Sequence, residues 1–168
     1  MTPFILSQIL VGIAFFSDFC SFQFKKREHV LVFFIISSIL ISAHFFILEV
    51  YTAGFLAIIS TIRFVTFYFS THKNFLYLFV LLTIVIFMLS YENYISVISF
   101  LGTLLVTIAV FQKNDKILRL IMMSGTSCWI LHNVLIFSPV AVVLEASFLV
   151  SNLIGYYRFY VKEKIIRS

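Results

Sequence analysis

The 168-residue chain carries 12 Lys and Arg against 7 Asp and Glu, a net charge of +5, yet 62% of it is hydrophobic and only 11% charged. Soluble domains are about half apolar and roughly a quarter charged, so this composition excludes a water-soluble enzyme, a nucleic-acid-binding module and a secreted disulfide scaffold. A hydrocarbon-spanning helix takes about 20 residues, so seven would use roughly 140 and leave fewer than about 30 for loops and termini.

Cutting the chain at its charged and Pro- or Asn-containing interruptions predicts seven transmembrane helices, over 4–22, 30–48, 53–69, 75–90, 94–111, 117–137 and 140–160. The first is not preceded by a basic residue and is followed by Lys25-Lys26-Arg27, the reverse of a signal peptide, and it reads as an uncleaved span. Residues Leu76 to Leu89 are almost continuously apolar, which does not fit the alternation of a membrane β-barrel strand. In the sixth helix Met122, Gly125, Trp129 and His132 fall on one stripe. In the seventh Ala141, Glu145, Phe148, Asn152 and Gly155 do the same. Small and polar side chains sharing a stripe mark an inward-facing surface, because lipid-facing positions tolerate Leu, Ile, Val or Phe at no cost.

Lys and Arg in short loops mark the cytoplasmic side of a membrane protein. The first, third and fifth loops, their helix ends and the C-terminal segment hold Lys25, Lys26, Arg27, Lys73, Lys113, Lys116, Arg119, Arg158, Lys162, Lys164 and Arg167, eleven of the twelve cations. The opposite side holds none, and the twelfth, Arg63, lies within a span. This partition places the N-terminus outside and the C-terminus in the cytoplasm of a multi-pass membrane protein. Attraction to anionic lipid accounts for the surplus charge, so the expected partner is the bilayer and not a nucleic acid.

At an offset of 87 residues, Phe24/Phe111, Lys26/Lys113, Leu31/Leu118 and Ser37/Ser124 are identical, and Glu28/Asp115 and Val30/Ile117 are similar. This equates the first three helices with the last three and leaves the fourth as a linker. The expected architecture is all-α and 3+1+3, with parallel three-helix bundles at 1–70 and 94–168 joined by a linker helix at 71–93.

Polar residues inside spans are where transport or chemistry is placed, since each is costly in lipid. Counting from the outer helix ends at 1.5 Å per residue, His132 and Glu145 lie roughly 8 Å deep and His44 about 6 Å deep, whereas Arg63, Asn152 and Asp18 lie roughly 15–21 Å deep. Arg63 with Asp18 reads either as a structural ion pair or as part of a solute or proton site. His44 and His132 read either as interhelical hydrogen-bonders or as proton carriers. Trp129 is either a packing element or a pocket wall. Cys20 and Cys128 sit at different depths, so neither a disulfide nor a metal site is expected, and no phosphate loop, nucleophile elbow or HExxH motif is present. No enzyme activity and no cofactor are expected.

The run His44-Phe45-Phe46-Ile47-Leu48, then Tyr51, Ala53-Gly54 and Ile62-Arg63, followed by Cys128-Trp129-Ile130-Leu131-His132-Asn133, Glu145-Ala146-Ser147-Phe148-Leu149, Asn152 and Arg158-Phe159, resembles the YgjV family of bacterial inner membrane proteins over most of the chain. The 3+1+3 plan also resembles the SWEET sugar transporters and their half-sized bacterial relatives. There a Trp from the second and an Asn from the third helix of a bundle line the central pocket, and Trp129 and Asn152 fit that pattern. The first bundle offers His44 and Arg63 instead of a matching pair. The Pro-Gln pairs of PQ-loop proteins are absent, and Pro3 and Pro139 lie at helix ends, where they provide no hinge. The expected function is small-solute transport, the solute being polar, anionic or sugar-like. Arg63, Trp129, His132, Glu145 and Asn152 line the pocket, and Asp18 and His44 form a gate or ion pair. The alternative is a non-transporting scaffold or accessory subunit whose buried polar network is structural.

Overall fold

The computed structural model describes residues 2–162 apart from 22, 25 and 71. The cations Lys25, Lys164 and Arg167 of the sequence count lie outside the described residues. Seven α-helices follow one another: α1 (Pro3–Ser21), α2 (Arg27–Ile47), α3 (Tyr51–Phe69), α4 (Asn74–Ser90), α5 (Tyr94–Val110), α6 (Asp115–Leu135) and α7 (Pro139–Tyr156). A π-helical turn, Tyr157–Lys162, continues α7. The helices begin up to three residues earlier than apolarity alone predicts, because polar residues form their first turns. The Asn93 side chain accepts from Ile95 N (2.8 Å) at α5, and Asn114 Oδ1 accepts from Lys116 N (3.0 Å) at α6. Pro139 occupies the first turn of α7, where its missing N–H costs no hydrogen bond.

Four segments are long and apolar enough to cross a membrane by length and composition: Pro3–Ser21, Arg27–Ile47, Tyr51–Phe69 and Pro139–Lys162. α4 and α5 are apolar but only 17 residues long, at the short limit for a span. α6 has the length but is more polar, with Ser124-Gly125-Thr126-Ser127 at its middle. Among the described residues, polar and charged side chains make up most of the buried set, while Phe16, Phe69, Tyr77, Met88 and Leu89 are exposed. An interior more polar than the exterior is the distribution a lipid solvent favours.

The helix packing closes on itself. α2 packs against both α1 and α3, α6 against both α5 and α7, and the two groups meet where α3 packs on α5 and α1 on α7. Six helices thus form a ring, and α4 lies outside it against α3 and α5. Only Phe79 and Thr83 of α4 are buried, which is why its sequence carries almost no polar signal.

The turns α2–α3 and α6–α7 are the same structure repeated at an offset of 88 residues. Val50 N donates to Phe45 O and Glu49 N to Phe46 O; Ser138 N donates to Asn133 O and Phe137 N to Val134 O. Glu49 (φ 60°) and Phe137 (φ 54°) occupy the left-handed position of this Schellman closure, unusually without glycine. The starts and ends of α2 and α6 match at 88 as well, one residue more than the offset read from the α1–α2 and α5–α6 loops. His44 and His132 are therefore equivalent residues in the last turns of α2 and α6.

α5 and α6 approach each other closely at two glycines. A Cβ at Gly125 would lie 2.9 Å from Val106 Cγ2 and 3.2 Å from Gly102 O, and one at Gly102 would lie 3.0 Å from the Trp129 ring. Gly125→Leu is expected to push the helices apart and destabilise the fold by about 1–3 kcal/mol. Thermal unfolding of the detergent-solubilised protein checks this, and an unchanged midpoint would refute the close contact.

Candidate functional site

The ring encloses a cavity of about 440 Å³, to which α1, α2, α3, α5, α6 and α7 all contribute side chains and α4 none. At one end it stops beneath His44 and Asn133, which are buried, as are Ser7 and Ser138 above them. Toward the other end it reaches Leu118 and the half-buried Arg119, one turn from the start of α6. Most of the wall is apolar, including Phe45, Phe64, Leu144 and Phe148, with a few charged groups set into it. That combination is typical of small-molecule sites.

Arg63 is only 1% exposed although it lines the cavity. It donates to the Thr107 hydroxyl of α5 through Nη1 and to Ser60 Oγ through Nη2 (3.4 Å), and its Nε has no partner. The contact to Thr107 joins α3 to α5. The face of α5 that receives it carries Ser96, Ser99, Thr103 and Thr107, all buried, at helical spacing.

The ion pair expected between Arg63 and Asp18 is not formed. Asp18 Oδ2 accepts from Ser37 Oγ of α2 (2.8 Å), and the single ion pair among the described residues is Arg119 with Asp115 (2.9 Å). Glu145 of α7 also lines the cavity, and α7 packs on α1, the helix that carries Asp18. The cavity wall therefore holds two carboxyl groups on one side and a guanidinium on another, without direct pairing.

Trp129 lines the cavity and stacks on Phe45 with ring centroids 5.6 Å apart. Asn152 also lines it, while its Nδ2 donates to Phe148 O (3.1 Å) on its own helix. His132 lies behind the wall, edge-on to Phe45 and Trp129, with Nδ1 3.3 Å from Asn133 Oδ1 and Nε2 without a partner. Of the expected residues, Arg63, Trp129, Glu145, Asn152, Asp18 and His44 share the cavity; His132 does not reach it.

His44 makes the bonds that its equivalent lacks. Its Nδ1 lies 3.0 Å from Ser7 O and so carries the proton, leaving Nε2 to accept from Ser138 Oγ at 3.2 Å. Gln8 Nε2 donates to Ser138 Oγ (3.3 Å), and Gln8 Oε1 accepts from Val140 N (3.2 Å), an otherwise unsatisfied donor at the start of α7. This latch ties α1 and α2 to α7. The position equivalent to Ser138 is Val50, which has no hydroxyl to offer His132.

Gln8, Ser37, Thr107 and Ser138 are not singled out by the sequence pattern. The hydroxyl periodicity of α5 is a signal for one of them, but Ser and Thr inside spans commonly bond their own helix, as Thr103 does to Ser99 O (2.9 Å). No group of His, Cys, Asp or Glu able to hold a metal ion exists among the described residues.

No solved structure matches the chain. It is 29% identical to the inner membrane protein YgjV of Escherichia coli (strain K12) over 170 residues, covering 98% of this chain and 90% of that protein. The profile of the Imp-YgjV family, described as a bacterial inner membrane protein, matches residues 5–163. An all-helical ring that turns apolar side chains outward and polar ones inward agrees with that assignment, and the chain belongs to the Imp-YgjV family of bacterial inner membrane proteins.

Proposed function

We propose that this protein is a small-solute transporter whose binding site is the cavity within the six-helix ring. The observation that carries the reading is a charged cavity closed at one end by hydrogen bonds that cross between helix groups. Arg63 binds a polar or anionic group of the solute, Trp129 and Phe45 supply an aromatic wall, and Asn152 supplies a hydrogen-bonding edge. In the 3+1+3 reading, α1–α3 and α5–α7 are the moving units and α4 the linker, with 71–93 as the connecting segment. Their contacts are the α1·α7 and α3·α5 seams. Across the first lie the bonds of Gln8 and His44 to α7; across the second lies Arg63 with Thr107. Rocking that opens the α1·α7 seam must break the His44–Ser138–Gln8 latch, so the described conformation is the state closed at that end.

The loops at the other end carry Lys26, Arg27, Lys73, Lys113 and Lys116, which supports a cytoplasmic placement for it, with the N-terminus outside. In a background with Cys20 and Cys128 replaced by Ser, a cysteine introduced as Phe137→Cys should react with a membrane-impermeant maleimide on intact spheroplasts. One introduced as Lys113→Cys should react only after permeabilisation. The reverse pattern would invert the orientation.

Arg63→Ala should abolish solute uptake into proteoliposomes while leaving membrane insertion intact. Uptake at the wild-type rate by that variant would sink the transporter assignment. Loss of folded protein on changing Arg63, Glu145 or His132, together with co-purification of a larger partner, would favour the scaffold reading. The latch makes a separate prediction: Gln8→Ala combined with Ser138→Ala should make a cysteine introduced as Ala141→Cys reactive from outside. Continued protection would show that these bonds do not hold that end shut.

A further inference from the structure

We infer that the solute is a zwitterion of the amino-acid type, carrying an ammonium and a carboxylate on an apolar body. The inference rests on the transport reading for its purpose, but the binding chemistry stands on the cavity itself.

Opposite charges buried in a low-dielectric interior attract strongly, and a protein stabilised by them alone would bring them into contact. Here they are held apart around an open space. Arg63 is spent on two hydroxyls and keeps its Nε unpartnered, although it is almost fully buried. Asp18 accepts one hydroxyl hydrogen bond, from Ser37, and Glu145 lines the same cavity from the neighbouring α7. The other charged or titratable groups lining the cavity are already occupied: Arg119 pairs with Asp115, and both ring nitrogens of His44 are bonded.

The occupant that completes this arrangement has its own charges set apart in the opposite sense. A carboxylate takes the planar donor edge of Arg63, for which a guanidinium is better suited than an ammonium. An ammonium, with three donors and no acceptor, takes the acceptors of Asp18 and Glu145. Phe45, Phe64, Leu144, Phe148 and Trp129 receive an apolar side chain. A neutral sugar would leave the Arg63 guanidinium without a counter-charge, at the cost of a buried unpaired charge, and a simple anion would leave both carboxyl groups without a partner cation.

Leucine and three analogues separate these contributions when titrated against the purified, folded full-length protein. Leucinol lacks the carboxylate, 4-methylpentanoate lacks the ammonium, and N-acetylleucine blocks it. Leucine should bind and raise the unfolding temperature, and each analogue should bind about 10-fold more weakly or worse. Arg63→Gln should erase the preference for leucine over leucinol, and Glu145→Gln the preference for leucine over 4-methylpentanoate. A purely structural role for either residue would lower stability without changing which analogue is preferred. If 4-methylpentanoate, a sugar or a nucleoside binds as well as leucine or better, the zwitterion inference is overturned while transport of that ligand stands. If leucine binds with this selectivity but shows no flux in proteoliposomes, the site stands and the transport reading fails. If none of these probes binds the folded protein, the inference is overturned.

Discussion

Burying Arg63 is the constraint around which the rest of the structure is arranged. A guanidinium 1% exposed within an apolar helical ring must find hydrogen-bond acceptors inside the protein. Thr107 and Ser60 supply them, and the first of these forces α3 and α5 into contact. That contact closes one side of the ring, and the Gln8–His44–Ser138 network closes the other between α1, α2 and α7. Each seam carries polar bonds, which in the α1·α7 seam lie beside the apolar cluster of Val11, Ala14, Ala141 and Leu144, whereas α5 and α6 meet closely at Gly102 and Gly125.

Repetition explains the frame, and its local breakdown explains the site. The α2–α3 and α6–α7 turns share the same Schellman closure, so equivalent residues reach equivalent depths. On that frame Arg63 corresponds to Ser151, Glu145 to Ala57 and Ser138 to Val50. Each pair puts a functional group on one unit and a neutral or apolar residue on the other. The cavity consequently has a guanidinium on one wall and carboxyl groups on another, and one histidine is latched while its counterpart is not. A symmetric pair of halves would have no such polarity with which to orient a ligand.

Much of the candidate site is legible in the amino-acid sequence, because charged residues within spans are rare and must face inward. Arg63, Glu145 and Asp18 stand out in that way, Asn152 and Trp129 by their place on helix stripes, and all five share one cavity. His132 is selected by the same logic but sits behind the wall against Phe45 and Trp129. Depth along a helix can be read by counting residues; rotation of the last half-turn and the ring that blocks the path cannot. Gln8 and Thr107 escape this reading because an amide or a hydroxyl within a span has a local backbone partner at hand, so its presence does not signal a long-range bond.

The sequence by itself determined the seven helices, their limits to within about four residues, the outward placement of apolar side chains and the inward placement of polar ones. These follow from periodicity and from the cost of exposing polar groups to hydrocarbon, both of which are properties of single segments. The tertiary structure decided which polar groups meet: Arg63 with Thr107 instead of Asp18, Asp18 with Ser37, and His44 with Ser7 and Ser138. Those choices depend on how far each helix is rotated and how closely small residues let its neighbours approach. These are properties of pairs of helices, and no spacing within one helix records them.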